Sequence, residues 1–395
     1  MFQTQFKHYF IELAHRHGHM IAVQVFVGLA NTLANSFALI YLVRQGADYL
    51  ACSLFVLMAV VTSTLLVAFA SRTIVKSFVS SIITSLACLS GYYVMLMLLD
   101  GWWLILVPSI LFGAYIVTFW VPYNVLIMHI TSRSKRGAII GSYFLIFPLI
   151  GVATPALGGL IILFSGYEVL FAAAAVLAAL DVVFILRFRV LREMRRRIII
   201  PELLQSLKVN MVGNPHIDLD LKCVDWRLRW SLFAEGIQDG IFWILIPLIS
   251  FEFAKTEEGA GSYLSLFALG GAVMTIVLGL LSDRLKERAH PVRVGASFGA
   301  VSVLFASMAT GAAHFASAMS IAYFWIAMIP SFLFTMLLDR MERYKKKGVL
   351  VREFLLDAGR IVGVAMTIVM LLLHFRLEAG MAIAAVALST ITILR

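Results

Sequence analysis

Apolar residues run through this chain in long, nearly unbroken stretches joined by short polar segments. Twelve stretches reach about 20 mostly apolar residues, the length of a helix that crosses a bilayer core of about 30 Å. They lie near 20–43, 49–70, 77–99, 102–127, 138–165, 167–186, 229–252, 262–282, 294–312, 317–338, 353–374 and 379–394. Joints as short as Asp100-Gly101 and Ser165-Gly166 predict tight helical hairpins. Residues 1–19 carry Lys7, Glu12 and Arg16 with no small-residue cleavage site, and read as an amphipathic lead-in at the membrane surface. The one long polar segment, 187–228, opens with Arg187, Arg189, Arg192, Arg195, Arg196 and Arg197 and is punctuated by Pro201 and Gly213-Asn214-Pro215. It divides the chain into six-span bundles at 20–186 and 229–395. The predicted fold class is therefore an all-α polytopic membrane protein of twelve helices.

Composition agrees. Of the 395 residues 61% are apolar and 14% charged, against roughly 45–50% and 25% in a soluble domain. A soluble enzyme, a disordered chain and a disulfide scaffold are excluded. The net charge of +10 would point to nucleic acid in a soluble protein, but its placement gives a different account. The N-terminus, the joints 71–77, 128–137, 283–293 and 339–352, the 187–229 region and Arg395 hold 28 of the 32 Lys and Arg residues, all on one side of the predicted spans. That side is expected to be the cytoplasm, with both termini there, in the inner or plasma membrane of the cell. No nucleic-acid partner is needed, and the expected surroundings are the lipid bilayer around a monomer. Cys52, Cys88 and Cys223 form no disulfide framework. His15, His17 and His19 have no nearby carboxylate or thiol to complete a metal set, so neither metal nor cofactor is expected. Metalloprotease, phosphate-loop and nucleophile-elbow motifs are absent from the sequence, so an enzyme is not expected.

An internal repeat joins the halves. One offset of 211 residues brings Ser71-Arg72 onto Ser282-Asp283, Arg136-Gly137 onto Lys347-Gly348, and Gln24 onto Glu235. Repeats of six helices share one membrane orientation, which implies a pseudo-twofold axis along the membrane normal.

Two motifs sharpen this pattern. Residues 279–288 read GLLSDRLKER, in which Gly279, Leu281, Asp283, Arg284 and Arg288 follow a G-x-L-x-D-R-x-G-R-R loop signature, with Lys286 in place of glycine and Glu287 in place of a base. Residues 151–159 read GVATPALGG, in which Pro155, Gly158 and Gly159 follow G-x-x-x-G-P-x-x-G-G, with Thr154 in place of the second glycine and Gly151 one position after the first. With six-plus-six spans and a basic central loop, the chain resembles the major facilitator superfamily, and its fifth span resembles that of the proton-coupled drug antiporters within it. The resemblance implies that Asp283, Arg284 and Arg288 form a gating latch across the seam between the halves; a solvated basic loop is the plainer alternative. Gly151, Gly158 and Gly159 permit close helix approach, and Pro155 removes a backbone donor and bends the helix.

Ionisable groups inside the spans are costly and mark function by default. Asp239 lies about 15 Å into the seventh span, with Glu235 one turn away on the same face. The pair suits a carboxyl that loads and unloads a proton, or else a structural ion pair. Gly236 and Gly240 would admit a neighbouring backbone or a substrate. Glu353, Asp357 and Arg360 follow i, i+4, i+7 spacing and read as a gating ion pair. Asp181, near the basic end of the sixth span, reads as an interfacial side chain that snorkels. Gln24, Asn31 and Asn35 follow helical spacing in the first span; the resemblance places the first and seventh helices around a central cavity. The function expected is alternating-access transport of a small molecule, as proton-coupled efflux of an amphipathic or cationic compound. Flipping of a lipid-like substrate, and a non-transporting receptor or scaffold, are the alternatives.

Overall fold

The structure, a computed structural model, describes residues 18, 20–76, 78–130, 136–187, 224–281, 287–341 and 345–394. Ten helical segments among them are long and apolar enough to cross a membrane. One, Ile140–Leu186, has 47 residues, about 70 Å of helix at about 1.5 Å per residue, or twice a hydrocarbon core. It is two passes, separated at Gly166, whose φ of 83° only glycine adopts readily. With the shorter apolar helix Leu377–Ile393, the passes number twelve.

They are α1 Met20–Arg44, α2 Tyr49–Lys76, α3 Phe78–Leu98 and α4 Gly101–Ile130. Next, α5 begins as Arg136–Gly151, resumes at Thr154 and ends at Gly166, and α6 runs from there to Arg187. In the second half, α7 is Trp226–Ala254, α8 Glu257–Leu281 and α9 Ala289–Ser307. Then α10 joins Ala312–Ile326 to Met328–Arg340, α11 is Lys345–Leu372, and α12 is Leu377–Thr390 with a final turn at Ile391–Ile393. The repeat is visible in these bounds. Phe78 and Gly101 open α3 and α4, and Ala289 and Ala312 open α9 and α10, at the same 211-residue offset.

Several helices outrun their apolar stretches. α2 continues to Lys76 and α11 starts at Lys345, eight residues before the apolar run at 353. Backbone hydrogen bonding within a helix does not require apolar side chains, so hydropathy marks the lipid-embedded part and not the helix ends. The central linker lies almost wholly outside the described residues, as does the amphipathic lead-in.

Large apolar side chains such as Phe69, Phe164 and Val386 face outward, where lipid covers them. The halves meet where α2 packs on α11 and α5 on α8; within the second half α7 packs on α11. The GVATPALGG motif lies at this seam. A side chain at Gly158 would strike the Leu33 carbonyl oxygen of α1, and one at Gly159 would lie 2.6 Å from the Glu257 carbonyl oxygen of α8. The helix breaks at Val152-Ala153, just before Pro155, and Thr154 bonds the Thr32 hydroxyl at 2.6 Å.

Candidate functional site

The site begins with four glycines. Gly236 and Gly240 recur at i, i+4 on α7, and Gly359 and Gly363 on α11. Each faces the other helix's backbone: Gly236 the Leu356 carbonyl, Gly240 that of Arg360, Gly359 that of Phe233 and Gly363 that of Ile237. No side chain separates the helices there, so the charged residues flanking the glycines are forced together.

Two ion-pair groups result. Arg360 donates to Asp239 at 3.0 Å and to Asp357 at 2.9 Å, and its guanidinium lies 4.5 Å over the Trp243 ring. Two turns toward the basic end, Arg352 donates to Glu353 at 2.8 Å, stands 3.9 Å from Glu235, and lies 5.1 Å over the Phe334 ring. The first half reaches in with neutral donors. The Ser63 hydroxyl donates to Asp357, and the Asn124 amide to Glu353 at 3.0 Å. Four carboxylates thus meet two guanidiniums. Five of these six side chains are nearly sealed, whereas 31% of the Asp239 side chain is exposed. Asp239 is the most exposed of the four acids.

That cavity lies between the halves and has a volume of about 470 Å³. Its second-half wall carries Glu235, Asp239, Arg352, Glu353 and Arg360, together with Trp243 and Tyr323. Its first-half wall is uncharged: Asn31, Asn35 and Asn124 stand among Phe55, Phe112, Tyr115 and Trp120. Asn35 accepts from the Tyr92 hydroxyl at 2.9 Å, while the buried Asn31 Oδ1 has no partner among the described residues.

Other predicted residues lie elsewhere. Gln24 is buried away from the cavity; it donates to the Tyr143 carbonyl at 3.0 Å and accepts from the Tyr123 hydroxyl at 2.7 Å, tying α1 to α5 and α4. Asp357 sits behind Arg360. Asp283 and Arg284 lie outside the described residues, and Gly279 falls in the last turn of α8. Arg288 pairs with Asp339 of its own half, where the loop resemblance implied a partner across the seam. Both residues flank the joints of one bundle, α8–α9 and the end of α10, so the bond ties that bundle to itself. Asp181 does not snorkel: it is fully buried. Trp325 stacks on Phe298 at 4.7 Å and is a packing residue. Arg352 was missed by sequence reasoning, which counted it among the basic loop charges. Its signal is its position two turns before Arg360 on one helix.

On the side away from the basic segments, Arg44 at the end of α1 donates to Glu257 at the start of α8 at 2.7 Å, and Tyr167 of α6 donates to the same oxygen at 3.0 Å. On the basic side, Leu350 and Phe354 of α11 pack against Val67, Ile74, Val117 and Val121 of the first half. The cavity is therefore flanked by contacts between the halves on both sides.

Twelve helices in two repeated bundles around a charged central cavity define a multi-pass membrane transporter. The model of the Major Facilitator Superfamily matches residues 20–364, and the chain belongs to that family. It is 23% identical over 353 residues to the uncharacterized protein YqgE of Bacillus subtilis strain 168, covering 85% of this chain and 78% of that one. Its fold is similar to the human organic anion transporter MFSD10 (TETRAN), with a TM-score of 0.62, 14% identity and coverage of 95% and 98%. It is equally similar to a bacterial homologue of the iron transporter ferroportin in an outward-facing state, with a TM-score of 0.63, 12% identity and the same coverage.

Proposed function

We propose that this chain is a proton-coupled exporter of amphipathic or cationic small molecules, working as a monomer in the inner or plasma membrane with its basic side and both termini in the cytoplasm. The halves, 20–186 and 229–395, rock about the central cavity so that it opens to either side in turn. The observation that carries the reading is the charge imbalance: four carboxylates against two guanidiniums in a lipid-embedded cavity. A proton or a cationic cargo supplies the balance, and Asp239 is the acid exposed to either. Proton and cargo then compete for one carboxyl, which is the condition for exchange. The asymmetric walls support an amphipathic cargo. Its apolar body fits the aromatic first-half wall, and its cation meets Asp239 and the Trp243 and Tyr323 rings. Export as the direction is supported by the GVATPALGG resemblance alone. The Glu353–Asp357–Arg360 group and the 279–288 loop are read as the parts whose bonds change between access states. A second reading, movement of a lipid-like molecule, is favoured by an apolar groove of about 520 Å³ on the first half, lined by Leu29, Leu33, Leu160 and Phe164.

The test is thermal stabilisation of the purified protein by tetraphenylphosphonium, a lipophilic cation, at two pH values. Stabilisation should weaken as pH falls and vanish in Asp239→Asn. Equal stabilisation in the variant removes Asp239 from the site, and stabilisation by lysophospholipid in place of the cation moves the reading to lipid.

A further inference from the structure

The central site leaves one intramembrane acid unused. Asp181 is fully buried in α6, and among the described residues neither of its carboxylate oxygens has a hydrogen-bond partner. It stands about 9 Å along the helix before Arg187 (six residues at about 1.5 Å each), inside the first bundle. An ionised carboxylate there, with neither counter-charge nor donor, would cost many kcal/mol, whereas a protonated carboxyl carries only the cost of an unpaired hydroxyl.

Asp181 is within electrostatic reach of two α4 tyrosines, Tyr115 and Tyr123. Tyr115 lines the central cavity, and its buried hydroxyl also lacks a partner among the described residues. Tyr123 lies two turns further toward the basic side and donates to Gln24 at 2.7 Å; its hydroxyl is also 3.4 Å from the Met20 carbonyl at the start of α1. The rings between them are continuous, with Phe119 stacked against Tyr115 at 6.0 Å and Tyr123 at 5.2 Å. The other titratable groups on the packed elements sit apart. On α3 the Tyr92 hydroxyl is bonded to Asn35 and that of Tyr93 to Ala30, and Cys88 is uncharged as a thiol. Arg44 of α1, and Glu257 and Glu258 of α8, lie at the opposite end of the bundle. Among the described residues, no cation faces Asp181.

We infer that Asp181 is a second proton-carrying carboxyl, held in the first bundle within electrostatic reach of Tyr115, which lines the central cavity. The inference rests on the proton-coupled reading and extends it: the proton has a waiting position in the half that bears no charge at the cavity.

Infrared spectroscopy of the full chain in lipid nanodiscs tests this without any substrate. At neutral pH the wild type should show a protonated-carboxyl band that Asp181→Asn lacks and Asp239→Asn keeps. The band should shift in D2O, lose amplitude as pH is raised, and exchange more slowly in Tyr115→Phe. If Asp181→Asn does not fold, Asp181→Glu must shift the band and abolish its response to carbon-13 aspartate labelling. Absence of the band, or a band indifferent to both pH and D2O, overturns the inference. A responsive Asp181 band beside pH-independent tetraphenylphosphonium binding would instead defeat only the reading of the central site.

Discussion

The closeness of α7 and α11 is the feature on which the charged site depends, and Gly236→Ala tests it. The added methyl would strike the Leu356 carbonyl oxygen and lie 3.0 Å from the Gly359 Cα. Carbon atoms settle at about 3.5–4.0 Å, so α11 must retreat by roughly 0.5–1 Å. That displacement acts on bonds with little room to stretch. Arg360–Asp239 at 3.0 Å would move beyond hydrogen-bonding range, and Arg352–Glu235, already at 3.9 Å, would part. Overpacking of this kind costs about 1–3 kcal/mol. Gly141→Ala in α5 is the control, since a side chain there meets nothing within 4 Å. It removes a mid-helix glycine and should stabilise by a few tenths to about 1 kcal/mol. Equilibrium unfolding of both variants in detergent measures the difference. Gly236→Ala unfolding at the wild-type midpoint, or later than Gly141→Ala, would refute the tight seam.

Arg352→Met strands Glu353 and Glu235 and should destabilise by about 3–5 kcal/mol, with much of the loss recovered when Glu353→Gln is added; a double-mutant cycle without coupling contradicts the pairing. Ser63→Ala removes a donor to a buried carboxylate across the seam and should cost about 1–3 kcal/mol in the same unfolding assay. Arg44→Gln should barely change stability, because Arg44 is half exposed and such pairs are worth about 0–1 kcal/mol. A flexible thiol cross-linker such as a bismaleimide should nevertheless join Arg44→Cys to Glu257→Cys and lock that side, as gel mobility after cleavage between the halves would report.

The fold was legible because the bilayer imposes a coarse rule. Any run of about 20 apolar residues must become a helix, since lipid offers backbone groups no other partner. The repeat was legible for a related reason: duplicated helices of equal length keep their joints at a fixed spacing, as Phe78 and Ala289 do. Helix ends were not, because α11 gains nothing from hydrophobicity at Lys345 and continues on hydrogen bonding alone.

The site was half legible, and the division follows charge. Asp239, Glu235 and Arg360 stand inside apolar runs, where their cost announces them. Arg352 has the same burial and the same kind of partner, yet it sits where the hydropathy pattern is already polar, so a topological role accounted for it. Asp181 was misread in the opposite way: near the end of a span, a short acid is easily assigned to the surface, and only the folded bundle shows that water is excluded. Burial near a helix end depends on neighbours that a single helix's pattern does not contain. The same holds for Ser63, which looks like ordinary polar punctuation in α2, and for the bond made by Asn124, which the fourth span already offers as a cavity residue. The carboxylates they meet lie 294 and 229 positions away on α11. In the proposed mechanism these contacts suit a centre that must open: they are placed on the seam and supplied by neutral groups, so parting them leaves an acid able to take a proton, whereas the charged Arg44–Glu257 pair lies at the rim.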